Sequence, residues 1–378
     1  MKEELLVVGG GIVGLSCAYE AAKRGGRKVT IVDRGDFGGQ ASGAAAGMLA
    51  PYTENSEQPD PFFRLCLDSL RLYPEWAEEI ERLSGISVEL THTGSIQVAL
   101  HEADMLPLRT RQRWQNEWGA RAEWLDAADL RRLEPGLSSA AAGGLYCPEE
   151  SHVYAPKLVK ALEAACRRLG VRCAGNAGDT VDLMLDGGRV RLVTGTGGRF
   201  EADRAIVCAG AWTGAFERWF GFAVPVNPIR GQICAYHSPI GEVRQMVFTS
   251  QAYWVGKRNG TLVCGASEDI AGFDTSVTER GIARLTRWSG RVFPALADRS
   301  PVHRWAGLRP ATLDGWPLLG PVPGAPQAVV AAGHYRNGIL LAPVTAKRIC
   351  DVLDGTLPAA ELAPFAPDRF AASARTLG

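Results

Sequence analysis

The chain has 378 residues, with 41 basic side chains against 41 acidic ones and 46% hydrophobic residues. That length exceeds a usual single core and favours about two domains, and 22% charged residues beside that apolar content excludes wholesale disorder. Zero formal net charge argues against a nucleic-acid surface or a polybasic membrane anchor, and no uninterrupted apolar run approaches the roughly 18 residues of a membrane helix.

The chain opens strand, helix, strand. Residues 5–8 are apolar on both faces, as in a buried parallel strand. Residues 12–24 have helical character and stop at Gly25-Gly26, a suitable C-terminal cap, and 28–33 form a second strand, completing a βαβ unit. The apolar start is not expected to act as a signal peptide, since Lys2 is followed by Glu3 and Glu4 and glycines interrupt the run. A cytoplasmic location is expected.

A long helix is expected over 59–83, with Phe62, Cys66, Tyr73, Trp76 and Ile80 near a 3.6-residue spacing and Pro74 kinking or breaking it. Residues 86–100 alternate, and 102–133 read as helical and Arg-rich. A helix at 155–169, a short strand at 171–173, glycine-punctuated β segments at 180–200 and a buried strand at 205–208 follow. From 226 to about 305 alternating strands dominate (232–236, 253–255, 262–265), with one helix near 276–292; a buried strand at 328–332 then leads into a helix over 338–353. Two textures interleave. We read βαβ pieces at 1–85, 145–220 and 310–365 as one discontinuous nucleotide-binding domain, and antiparallel pieces at 86–144 and 221–309 as a second domain inserted into it, giving a mixed α/β (α+β) fold class.

Nine widely spaced cysteines without a CxxC pair read as buried reduced thiols, and six histidines never at ligand spacing give no metal signature. The chemistry lies elsewhere. Gly9-Gly10-Gly11-Ile12-Val13-Gly14 fits G-x-G-x-x-G between a strand and a helix. Gly9 permits the tight turn, Gly11 lets a pyrophosphate approach the backbone and the helix N-terminus, and Gly14 lets helix and sheet pack. Asp33, 19 residues past Gly14, is placed to accept from ribose hydroxyls, with Arg34 beside it. The unit binds a dinucleotide but does not decide between FAD and NAD. Small residues at 38–48, and the turn Ala209-Gly210-Ala211-Trp212 at a strand's carboxyl end, give a ligand further room for close backbone approach.

Taken with Gly307-Leu308-Arg309-Pro310 and the segment from Gly333-His334-Tyr335-Arg336-Asn337-Gly338 to Pro343, these motifs resemble the D-amino acid oxidase/glycine oxidase family of FAD flavoenzymes. The last segment and residues 44–49 are most similar to glycine oxidases of bacterial thiamine biosynthesis. The resemblance spans nearly the whole chain. It implies a GR2-like, Rossmann-type FAD-binding domain with an antiparallel-sheet substrate domain, and a homo-oligomer, since tetramers occur among glycine oxidases. It implies oxidation of glycine, sarcosine or small D-amino acids, with hydride transfer from Cα to flavin N5. Electrons then pass to O2, and hydrogen peroxide, glyoxylate and ammonia form.

The resemblance also assigns residues. Arg309 takes the substrate carboxylate, Tyr253 helps hold it, Arg336 is a second pocket arginine and Met48 an apolar wall. FAD is held by Gly9, Gly11, Ile12, Val13 and Gly14; by Asp33 and Arg34; by Ser42, Ala46, Gly47 and Met48; by Ala209, Gly210 and Trp212; and by His334 to Leu340 (Tyr335, Arg336, Asn337, Gly338 and Ile339 between them). The helix starting near Gly338 aims its amides at the flavin edge that gains negative charge. Sarcosine oxidases of the superfamily attach FAD through a cysteine after the arginine motif; residues 311–321 hold none, so the expected FAD is non-covalent. Two other readings stay open: a D-amino acid or amine dehydrogenase passing electrons to a quinone or partner, and a non-catalytic dinucleotide-binding assembly protein.

Overall fold

The structure is a computed structural model and describes residues 2–55, 59–237 and 243–371. Its first sheet has six strands in the order Leu318–Val322, Ala325–Ala332, Arg204–Val207, Glu3–Val8, Arg27–Val32 and Arg172–Ala174. All neighbours run parallel except Leu318–Val322, which is antiparallel to Ala325–Ala332. Alternation of side chains sorts the two faces. Leu5, Val7, Ile206 and Val329 pack under helices Ile12–Arg24, Pro61–Ser84, Ala155–Arg168 and Gly338–Leu353. Leu6, Val8, Val207 and Val330 pack instead against the three-stranded antiparallel sheet Thr180–Asp186, Arg189–Thr194 and Arg199–Ala202. Being covered on both sides is why these strands read as continuous apolar runs.

The second sheet has eight strands: His303–Ala311, Asn227–His237, Thr261–Gly265, Tyr253–Gly256, Met246–Phe248, Ser95–Ala99, Gly143–Cys147 and Glu123–Asp126. One neighbouring pair is parallel, Met246–Phe248 with Ser95–Ala99. Trp254, Cys264 and Tyr236 pack beneath helix Glu279–Val292. Tyr253, Val255 and Ile233, on the opposite face, meet Ala46 and Ala50 from the first half of the chain.

Several elements differ from the sequence reading. The helix Pro61–Ser84 runs unbroken through Pro74. Asp60 caps its start by accepting from Phe63 N–H at 2.7 Å, and Tyr73, Trp76, Ala77 and Ile80 are buried around the proline; their packing outweighs the one hydrogen bond Pro74 cannot donate. The expected helix over 102–133 is instead helix Glu102–Glu117, strand Glu123–Asp126 and helix Ala127–Leu133. Pairing of Trp124 with Leu145 converts the middle piece to strand, a tertiary override of helix propensity. The boundaries drawn at 144/145 and 309/310 fall inside strands Gly143–Cys147 and His303–Ala311, both of the eight-stranded sheet. All nine cysteines are free thiols, and Cys173 alone is not fully buried.

Candidate cofactor and substrate site

A cavity of about 540 Å3 lies at the carboxyl ends of the parallel strands and reaches the eight-stranded sheet. Its floor is the first βαβ turn. Gly9 has φ +107°, and a Cβ there would stand 2.3 Å from the Cys208 carbonyl oxygen, so only glycine fits both the conformation and the approach. Gly9, Gly11, Ile12 and Val13 line the cavity. Gly14 does not; it packs against Gly9, whose oxygen would be 1.8 Å from an added Cβ, so its role is helix–strand contact. Ser42 Oγ accepts from Ile12 N–H at 2.9 Å and so caps the helix that faces the cavity.

Asp33 ends strand Arg27–Val32 and accepts from Gly10 N–H at 2.5 Å and Gly35 N–H at 2.8 Å. Burial raises its pKa above the usual carboxylate value, against those two hydrogen bonds. Each oxygen keeps a lone pair for a further donor. Arg34 pairs with Asp179 at 3.0 Å and lies 4.7 Å from the ring centroid of Trp212, which stacks on Phe273. Gly178, Asp179 and Thr180 line this end of the cavity, as do Ala209 and Gly210.

The middle wall is the segment from Ser42 to Met48. Ala46, Gly47 and Met48 line it, and Lys257 Nζ fastens it from behind by donating to Ala46 O at 2.6 Å and Val153 O at 2.9 Å. Opposite stands the loop before helix Gly338–Leu353. His334, Tyr335, Arg336, Gly338 and Ile339 line the cavity. His334 is buried, 3.0 Å from Thr345 Oγ1, and burial lowers its pKa to about 3, so the ring is neutral. Asn337 and Leu340 do not line the cavity. Leu340 is a core side chain whose carbonyl accepts from Ser69. Asn337 is buried, and its Oδ1 has no partner among the described residues.

At the far end Arg309 and Tyr253 enter from the eight-stranded sheet. Arg309 Nη1 donates to Ser267 O at 3.0 Å, and among the described residues no carboxylate pairs with it. Tyr253 is buried, lies over Gly265, and its pKa is pushed up to about 12 by burial, so its hydroxyl stays protonated. Arg336 sits at the rim, 3.0 Å from Glu54 and 3.4 Å from Glu268; the Glu54 carboxylate holds its pKa above the ordinary value. The free guanidinium of Arg309 and protonated phenol of Tyr253 can together grip a small carboxylate.

Of the residues expected from sequence, Gly14, Asn337 and Leu340 alone fall outside the lining. The sequence reading missed Glu54, Asp179, Gly231 and Lys257, which carry no local motif and reach the site through long-range pairing. A dinucleotide fits what is present: glycines give it backbone approach, a helix N-terminus faces it, and a carboxylate stands at the second strand's end.

Such a fold and cavity define a dinucleotide-binding enzyme, and residues 4–352 match the family model of FAD dependent oxidoreductases. The chain belongs to that family, whose cofactor is FAD. It is 34% identical over 370 residues to the glycine oxidase of Geobacillus kaustophilus, covering 97% of each chain. The crystal structure of glycine oxidase from Geobacillus kaustophilus superposes with a TM-score of 0.92, covering 97% of this chain and 99% of that one. This chain is 35% identical to the bifunctional protein ThiO/ThiG of Synechocystis sp., covering 97% of this chain but 54% of that protein. An iminodiacetate oxidase from Chelativorans sp. is 27% identical with a TM-score of 0.86, covering 96% and 98%.

Proposed function

We propose that this chain oxidises glycine and other small amino acids or amines, such as sarcosine and small D-amino acids, to their imino acids. The observation that carries the proposal is the Arg309 guanidinium, free of any described carboxylate, beside the protonated Tyr253 in the cavity that the glycine motif floors. Arg309 binds the carboxylate by charge-assisted hydrogen bonds and Tyr253 orients it, leaving Cα toward the cavity interior. FAD, held without a covalent bond by the Gly9–Val13 turn, Asp33, Arg34 and the segments at 42–48 and 334–339, supplies the two-electron acceptor. No described side chain is assigned as a base, and none is required when the amine binds neutral. With water and O2, glycine then yields glyoxylate, ammonia and hydrogen peroxide. Similarity to a glycine oxidase and to a ThiO/ThiG protein supports both this substrate and a place in thiamine biosynthesis.

The test is the visible spectrum of the purified protein. A flavin spectrum bleached by anaerobic glycine and restored by air is expected. Reoxidation by a quinone but not by air replaces the oxidase with a dehydrogenase, and a flavin that glycine never bleaches overturns the substrate. Acid precipitation should leave the yellow colour in the supernatant; a yellow pellet overturns non-covalent binding.

A further inference from the structure

We propose that Glu268 makes the rim of the substrate cavity a charge filter that turns away substrates carrying a second carboxylate. This rests on the reading that Arg309 binds the first one.

The rim is built from three segments. Glu54, its side chain 6% exposed, stands 3.0 Å from Arg336 Nη2. Glu268, on the loop that follows strand Thr261–Gly265, stands 3.4 Å from Arg336 Nη1 and accepts from Tyr335 Oη at 2.9 Å. Tyr335 has φ +45°, a left-handed conformation uncommon for a tyrosine; its hydroxyl bond to Glu268 and its N–H bond to Pro310 O at 2.9 Å hold it there. Both arms of Arg336 are therefore engaged, and among the described residues the rim carries two carboxylates against one guanidinium.

Arg309, by contrast, pairs with no carboxylate among the described residues. Tyr253, Arg309, Glu54 and Arg336 line one cavity, so rim and grip face the same small space. Counting Arg309, the charges of the described residues at the substrate end sum to zero but are polarised, with positive charge at the grip and surplus negative charge at the rim. That pattern complements a zwitterion, whose carboxylate goes to Arg309 and whose amino end faces the rim. A second carboxylate on the nitrogen or side chain meets the surplus negative charge and a guanidinium already occupied, a repulsive element of the kind that sets specificity. Glu268 is the adjustable member: it is exposed and lies outside the cavity lining, whereas Glu54 is buried within it.

The experiment compares one-carboxylate and two-carboxylate ligands on the FAD-loaded protein. Dissociation constants for glycolate and malonate are read from perturbation of the flavin spectrum, and kcat/KM is measured for glycine and iminodiacetate. The proteins are the wild type, Glu268→Gln and Glu268→Met. The preference for the dicarboxylate relative to the monocarboxylate is expected to rise about tenfold in both variants, the scale of one nearby charge at a partly exposed site. Raising salt from about 10 mM to about 500 mM should raise this ratio in the wild type relative to the variants, because screening weakens a repulsion that only the wild type has; in the variants, where Arg309 and Arg336 face Glu54 alone, the ratio should fall. A ratio unchanged by either substitution, in protein whose flavin glycine still bleaches, overturns the filter alone. A wild-type flavin that no carboxylate perturbs and glycine never bleaches overturns the proposed function and the filter with it.

Discussion

The Arg309 guanidinium lies against the bare backbone of Gly231: a Cβ built there would stand 2.4 Å from Nη1 and 2.6 Å from Cζ. The two belong to neighbouring antiparallel strands, where Gly231 pairs with Gly307 and Arg309 follows two residues on, on the same face. Gly231 thus supplies the shelf on which the guanidinium rests, and Ser267 O fixes one edge. Gly231→Ala must push Arg309 off that shelf. The fold loses little, because the atoms that give way are the end of a flexible side chain, but the displaced guanidinium no longer meets the carboxylate in register, so KM for glycine should rise about tenfold or more with FAD affinity unchanged. Steady-state kinetics beside flavin titration check it; an unaltered KM removes Gly231 from the site.

Arg309→Lys is a sharper test of how the carboxylate is held. An ammonium keeps the charge but loses the planar, two-point geometry. If the grip is bidentate, the lysine variant should resemble Arg309→Ala more than the wild type, each losing about 2–5 kcal/mol in kcat/KM. Recovery of most of the activity in Arg309→Lys would reduce Arg309 to a point charge.

Some of this was readable from the chain. The Gly9–Gly14 turn and Asp33 were legible because their chemistry depends on short-range spacing, and so was the buried parallel sheet, whose strands are apolar on both faces. Arg309 and Tyr253 were reached only through family resemblance, since neither sits in a pattern that local physics singles out. Gly231, Glu54 and Glu268 were illegible: the register of strands Asn227–His237 and His303–Ala311, and the folding of distant loops onto one rim, bring them to the site. Strand Glu123–Asp126 was misread as helix because what makes it a strand is Gly143–Cys147, outside its own window.

Glu150 predicts a pH dependence of stability. It is fully buried, accepts from Thr53 N–H at 2.8 Å and from the Ser95 hydroxyl, and burial raises its pKa to about 7. With the folded value above the unfolded one, the native state binds more protons than the unfolded chain between them. Stability from this group is therefore full below the ordinary carboxylate pKa and is lost as pH rises towards about 7. The span corresponds to roughly 3 kcal/mol. Glu150→Gln, neutral throughout, should lack that loss, and denaturant unfolding from pH 4 to 8 should show the variant gaining on the wild type. Parallel curves would mean Glu150 stays ionised when folded.

Lys257 predicts the opposite slope, and couples it to the cofactor. Its buried ammonium donates to Ala46 O and Val153 O and lies 3.2 Å from His152 Nδ1. Glu89, itself paired with Lys157, is the acid that acts on it, while Arg258 and His92 act through His152. Burial lowers the lysine pKa to about 7 and that of His152 to about 2, so the imidazole is neutral and Nδ1 can accept. Since the unfolded chain holds the lysine proton up to the ordinary pKa, stability from this group rises as pH climbs from about 7. Lys257→Met should abolish that rise. It also leaves two buried carbonyls without their donor, about 1–3 kcal/mol each, one of them on the Ala46 wall of the cavity. The variant should therefore release FAD more readily as well as unfold earlier. Weakened stability with unchanged flavin affinity would confine Lys257 to the scaffold; a loss of both ties the buried charge to the wall that holds the cofactor.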